Sequence, residues 1–190
     1  MNKTAIIIPS RLDALRLPNK PLKLINNKEM ILHVYEAAKK TNTGEVYVAT
    51  PDQKIIDIII SNGGKAVLTS LNHQTGTDRI YEVFKTKLKS EPNVIVNLQG
   101  DMPNIDPQAI TDLVSYMHKD QCDIGTLASS FSSESELIDE NNVKVSVKDK
   151  LATNIFQKAT DFFRAGVKNY KNFYHHVGIY AFTNKALVRY

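Results

Sequence analysis

Three cations crowd one short loop. The segment IIIPSRLDALRLPNKPL sets Arg11, Arg16 and Lys20 directly after an apolar run and punctuates them with Pro9, Pro18 and Pro21. Guanidinium forks and a lysine ammonium suit phosphate oxygens, and ligands of open α/β sheets bind beyond the carboxyl ends of strands. The loop is therefore a candidate anion site, although a solvated basic loop has equal weight on spacing alone. Neither GxGxxG nor GxxxxGK[ST] occurs in the sequence, which removes the usual dinucleotide and P-loop readings.

A second group, Asn97-Leu98-Gln99-Gly100-Asp101, closes the most apolar strand. An aspartate at that place can offer its carboxylate to a divalent ion that bridges phosphates, because Mg²⁺ takes a few protein oxygens and completes its shell with substrate and water. The bland reading is an ordinary turn residue. A third group, Asn72-His73-Gln74-Thr75-Gly76-Thr77-Asp78-Arg79, leads into a helix. Here Thr77 is expected to cap the helix while the backbone around Gly76 and the side chain of Arg79 face a base or phosphate. His175 and His176 are adjacent at the start of a strand, so they point to opposite faces and at most one can face a site. No Ser/His/Asp or Cys/His set stands out.

Elements of two rhythms must position these groups. Up to about residue 119, short β-branched runs alternate with amphipathic stretches, which predicts βαβ units on a parallel sheet. The strands are Ala5–Pro9, Glu45–Thr50, Lys65–Leu68 and Asn93–Leu98, and helices carry Ile31/Val34/Tyr35/Ala38 and Ile80/Val83/Phe84/Leu88 at helical spacing. Thr50-Pro51-Asp52-Gln53 reads as a capping box with Thr50 at the N-cap, and Asp106-Pro107 opens a helix over Gln108–His118. From Asp123 the pattern is strand-rich, with strands over Ile124–Phe131, Val143/Val145/Val147, Leu151–Phe156 and His176–Phe182. Thr160–Asn172 reads as a loop or short helix, and the last seven residues as the opening of a helix. The fold class is α/β: a Rossmann-like, mostly parallel sheet flanked by helices, with a strand-rich mixed second half.

Composition closes off other classes. With 24 Lys and Arg against 20 Asp and Glu, 8 Gly and 7 Pro in 190 residues, the chain is neither low-complexity nor collagen-like. One cysteine, Cys122, excludes a disulfide scaffold and a zinc finger, and fits a cytosolic protein. No apolar run approaches a membrane span, and the N-terminus does not read as a signal peptide. The modest scattered charge lacks any zinc-finger, RNP or helix-turn-helix signal, so neither nucleic acid nor membrane is expected as a partner.

The ordered set IIIPSRLDALRLPNKPL, VYVATPD, NHQTGTDRI, VIVNLQGDMP, NNVKVSV and HHVGIYAF resembles the CMP-Kdo synthetase (3-deoxy-manno-octulosonate cytidylyltransferase) family over essentially all 190 residues. The resemblance implies a nucleotide-diphospho-sugar transferase fold in one domain, with residues 1–119 binding nucleotide and 120–190 serving sugar binding and dimerisation. It implies transfer of CMP from CTP to the acidic sugar Kdo, with Mg²⁺ as cofactor, in a cytoplasmic homodimer that supplies lipopolysaccharide synthesis. Arg11, Arg16 and Lys20 would hold the triphosphate, and Asp101 would bind Mg²⁺. Thr75, Gly76 and Arg79 would line the cytosine and ribose pocket near Ala49 and Thr50. Gln99, His176 and Tyr180 would meet the sugar, with Lys158 beside them. Departures from the family pattern are Met102, where an acid is usual, and Gln157-Lys158, where Ser-Arg is usual. The family's Val-Asp-Thr-Pro motif, whose aspartate is a second metal ligand, is not among the 190 residues, so weak CTP binding and poor turnover are expected of them. A nucleotide-binding remnant without catalysis, and a cytidylyltransferase for another acidic sugar such as sialic acid, are the alternatives.

Overall fold

Apolar runs covered on both faces become the centre of a sheet. The computed structural model describes residues 3–13, 17–119, 122–152, 156–164 and 171–190. Its first part runs β1 (Thr4–Pro9), a hairpin of β2 (Leu24–Ile25) and β3 (Lys28–Glu29), α1 (Met30–Lys40), β4 (Glu45–Thr50), α2 (Gln53–Ser61), β5 (Ala66–Leu68), α3 (Gly76–Thr86), β6 (Val94–Asn97) and α4 (Pro107–Lys119). Strands β5, β4, β1 and β6 lie parallel in that order. Alternation along β1 shows why both faces must be apolar. Ile6 and Ile8 pack with α1, α2 and α4, whereas Ile7 packs with Ile80, Val83 and Phe84 of α3 on the other face.

The chain leaves β1 toward β4 and β5, then returns to place β6 on the other side of β1. That reversal opens a crevice beyond the carboxyl ends of β1 and β6, the place where open α/β sheets bind ligands. Both the basic loop and the Gln-Gly-Asp turn emerge there.

The second part runs β7 (Ile124–Ser129), α5 (Glu134–Ile138), β8 (Lys144–Val147), β9 (Ala159–Phe163), β10 (Asn172–Thr183) and α6 (Asn184–Arg189). Strand β10 is antiparallel to β6 through Tyr180–Thr183 and to β8 through Asn172–His175, and β7 follows it with a register shift between Val177 and Tyr180. One sheet thus carries both halves of the chain.

Several expectations are corrected. Leu151, Ala152 and Phe156 are not in a strand, and residues 153–155 lie outside the described set. The Leu151 N–H donates instead to the Tyr174 hydroxyl at 2.9 Å, and Phe156 packs on Tyr116 with ring centroids 5.4 Å apart. The region read as a loop or helix over Thr160–Asn172 contains β9, because Ala159–Phe163 finds an antiparallel partner in β8. The capping box at Thr50 is not formed. Asp52 is the N-cap of α2 without a side-chain cap bond, and its carboxylate instead accepts from the Leu12 N–H at 2.8 Å.

Candidate active site

The basic loop is shaped by backbone before any charge acts. Ser10 N–H donates to the Ala49 carbonyl at 2.9 Å, which extends the β1–β4 ladder by one residue. Asp52 then holds Leu12. The chain comes back through Asn19, in a left-handed conformation at φ 56°, into a 3-10 turn over Lys20–Leu22 whose Pro21 is buried. Lys20 thereby stands over the crevice, where its Nζ lies 2.7 Å from Asp101 Oδ2.

Gly100 brings Asp101 to that point. A Cβ there would lie 3.1 Å from the Pro9 carbonyl oxygen and 3.3 Å from Ile31 Cδ1, so glycine allows the turn to sit this close to the end of β1 without its neighbours giving way. Met102, the next residue, is partly buried against the core that includes Ile31 and Leu98. Its apolar side chain serves packing.

The opposite wall is the loop over residues 69–75, stitched to α3. Thr75, not Thr77, is the N-cap: its Oγ1 accepts from the Asp78 N–H at 3.1 Å, and Asp78 Oδ2 accepts from the Thr75 N–H at 2.9 Å. The Thr75 hydroxyl also donates to Asp78 Oδ2 at 2.8 Å, and this bond, followed by the one from the Thr75 N–H, holds the Asp78 carboxyl below its usual range. Thr77 lies inside the helix and accepts from Asn97 Nδ2 at 3.4 Å. Arg79 is only 3% exposed; its Nη1 donates to Thr69 Oγ1 and to the Ser70 carbonyl. Burial, and then the charge of Arg11, push its guanidinium pKa down. One turn on, Glu82 Oε2 accepts from the Ser70 N–H at 2.9 Å and lies 2.5 Å from His73 Nε2. Burial pushes the Glu82 carboxyl up, but the bonds from His73 and Ser70 outweigh it and the net shift is down.

These walls enclose a cleft of about 260 Å³. It brings together Arg11, Lys20, Thr75, Gly76, Arg79, Gln99 and Asp101, all singled out by the sequence. Arg16 lies outside the described residues. Ala49 and Thr50 are fully buried beneath the cleft and do not line it; the Thr50 hydroxyl accepts from the Asp52 N–H at 3.1 Å. Gln99 donates to Asn97 Oδ1 at 3.0 Å, and Asn97 pairs across the sheet with Tyr180.

His176 and Tyr180 sit next to that line on β10, ring centroids 5.3 Å apart, but neither lines the cleft. Burial, then the charge of His175, lowers the His176 pKa, and burial raises that of the Tyr180 phenol. The adjacent histidines do diverge: His176 Nε2 meets Thr126 Oγ1 at 2.9 Å, whereas His175 Nδ1 meets Glu136 at 3.0 Å. Lys158 is exposed before β9 and is also off the cleft. A second cavity of about 420 Å³, walled by Leu113, Tyr116, Phe156 and Tyr174, contains none of the residues assigned to sugar.

Two residues that line the cleft, His73 and Ser10, escaped the sequence reading, as did Glu82, which does not line it but bonds His73 and the Ser70 N–H. His73 lies in a motif that was noticed, and Glu82, spaced three and four residues from Arg79 and Asp78 on one helix face, could have been paired with it. Ser10 had no signal. Its hydroxyl is the one buried side-chain polar atom among the described residues without a hydrogen-bond partner. Ser10→Ala is expected to raise stability to urea by about 1 kcal/mol, since removing an unsatisfied buried group recovers its desolvation cost. A fall in the urea midpoint would show that the hydroxyl is paired in solution.

Among the described residues no cluster of three or more His, Cys, Asp or Glu could hold a metal ion. Asp101 can contribute as a single ligand. Its side chain is 52% exposed at the cleft mouth, and a hard dication that draws most of its oxygens from phosphate and water needs few from protein. The donor set fits Mg²⁺ in that limited sense.

A cytidylyltransferase family model matches residues 5–190. The 3-deoxy-manno-octulosonate cytidylyltransferase of Brucella ovis is 38% identical over 190 residues, which are 99% of this chain and 75% of that protein. The chain belongs to the 3-deoxy-manno-octulosonate cytidylyltransferase family. A solved CMP:2-keto-3-deoxy-manno-octonic acid synthetase, complexed with CTP, superposes with a TM-score of 0.87 at 37% identity, over 99% of this chain and 77% of its own. A 4-diphosphocytidyl-2C-methyl-D-erythritol synthase from Anaerococcus prevotii, at 11% identity and TM-score 0.60 over 96% of this chain and 72% of its own, shares the fold.

Proposed function

We propose that this chain transfers the cytidylyl group of CTP to the anomeric hydroxyl of Kdo and releases pyrophosphate. The observation that carries the reading is the convergence of Arg11, Lys20, Arg79, Gln99 and Asp101 on one cleft at the reversal of strand order, in a chain of this family. Phosphoryl-type transfer asks a protein mainly for positioning and for charge placed against the departing group. Arg11 and Lys20, on the loop after β1, supply that charge to the triphosphate. Arg79 braces the wall formed by residues 69–75, where Thr75 and Gly76 shape the nucleoside end. Gln99, next to the strand bearing His176 and Tyr180, marks the side from which the sugar enters. Asp101 is the carboxylate that would hold Mg²⁺, which when bound neutralises charge building on the phosphates.

The same reading makes the working form a cytoplasmic homodimer that supplies activated Kdo for lipopolysaccharide, with residues 120–190 serving sugar binding and dimer contact. Among the described residues no helix is long and apolar enough to cross a membrane. The test is pyrophosphate release in Mg²⁺ with Kdo and each NTP in turn. Release with CTP and Kdo alone is expected. Saturable CTP binding with no release, or equal release from every NTP, overturns the proposal, and release with sialic acid in preference to Kdo moves it to another acidic sugar.

A further inference from the structure

Lys20 and Asp101 are 81 residues apart, and each stands on a firm base. The 3-10 turn is closed by hydrogen bonds from Leu22 N–H to Asn19 O at 2.9 Å and from Lys23 N–H to Lys20 O at 3.1 Å. On the other side, Gly100 packs the Gln-Gly-Asp turn against the end of β1. The role proposed above sends the ammonium to a phosphate and the carboxylate to a cation. In the structure they hold each other, Nζ to Oδ2 at 2.7 Å.

That pairing has chemical consequences. An ammonium at hydrogen-bond distance occupies one of the two carboxylate oxygens, and its charge repels a dication approaching either of them. No other acid can substitute, because Asp101 is the only carboxylate among the described residues lining the cleft. The pair is also easily opened: the side chains are 34% and 52% exposed, and lysine carries three donors on a flexible stem. A triphosphate, with several negative charges, outcompetes one carboxylate for the ammonium. Once Lys20 has turned away, Asp101 is a bare anion beside phosphate oxygens, an arrangement that a dication relieves.

We propose that Lys20 is a positioning residue that keeps Asp101 closed to divalent cations until a triphosphate draws the ammonium off, so that the nucleotide-free protein binds metal poorly and nucleotide and metal enter together. By linkage, each then strengthens binding of the other. The inference rests on the proposed assignment of the cleft to nucleotide and metal.

The test uses Mn²⁺ as probe, titrated into the full chain without nucleotide or sugar and followed by water-proton relaxation. Lys20→Met is expected to bind Mn²⁺ about fivefold or more tightly than the unsubstituted protein, the scale of removing an adjacent charge in a solvated pair. Lys20→Arg, which restores a cation, is expected to return affinity to its weak starting level. Adding Asp101→Asn to Lys20→Met is expected to abolish the gain. Equal Mn²⁺ affinity with and without Lys20→Met overturns the proposal, as does a gain that survives Asp101→Asn. No substrate is present, so a protein that fails to release pyrophosphate still gives a clear result here, and failure of the metal titration leaves the transfer assay standing.

Discussion

Asp101→Asn is expected to lower Mg²⁺-dependent pyrophosphate release by about 10²- to 10³-fold in kcat/KM, the usual loss when one preorganised group facing developing charge is removed. The substitution keeps shape and removes charge. Asp101 is about half exposed, and an ion pair of that kind contributes about 0–1 kcal/mol, so circular dichroism and thermal unfolding should change little. What changes is the chemistry of the cleft mouth, where among the described residues no second carboxylate can take over. A fall of less than tenfold, with the fold intact, would remove Asp101 from the reaction.

Arg79→Met is expected to act on both stability and binding. The guanidinium is almost wholly buried, and among the described residues no carboxylate lies within ion-pair distance of it; its ties are to Thr69 and the Ser70 carbonyl. Hydrogen bonds from a charged donor contribute more than neutral ones, and breaking this pair leaves the buried Thr69 hydroxyl and the Ser70 carbonyl short of a donor. Methionine keeps much of the packing volume but none of the donors. The expected cost is about 2–3 kcal/mol in urea unfolding. CTP should bind at least about tenfold more weakly, because loss of the tie frees the wall carrying Thr75 and Gly76. Unchanged stability, read with CTP titration by calorimetry, would mean that Glu82 and the Thr75 cap hold the loop without Arg79.

Much of this protein was readable as local chemistry. Glu45–Thr50 was read as a strand and is one over the same residues, because an almost unbroken run of buried β-formers leaves few choices. The alternation of Ile6, Ile7 and Ile8 required helices on both faces, and they are there. The final residues, read as a helix opening, form α6 with Thr183 accepting from the Ala186 N–H at 3.1 Å. Where the reading failed, partners distant in sequence had intervened. Asp52 looked like part of a local cap but reaches the loop after β1. Ala159–Phe163 has no strong pattern of its own and becomes a strand because β8 offers an edge.

The site divides in the same way. Residue type and spacing were enough to nominate Arg11, Lys20, Asp101 and Arg79, since charge and hydrogen-bonding capacity belong to side chains wherever they lie, whereas Thr75 came only from the family resemblance. Their present engagements could not be read along the chain. Whether Lys20 faces a phosphate or Asp101, whether Arg79 contacts a ligand or braces a loop, and whether the Ser10 hydroxyl finds a partner all depend on distances of a few ångströms between separate elements. Those distances are fixed by how β1, β6 and α3 pack, and packing is a property of the whole core.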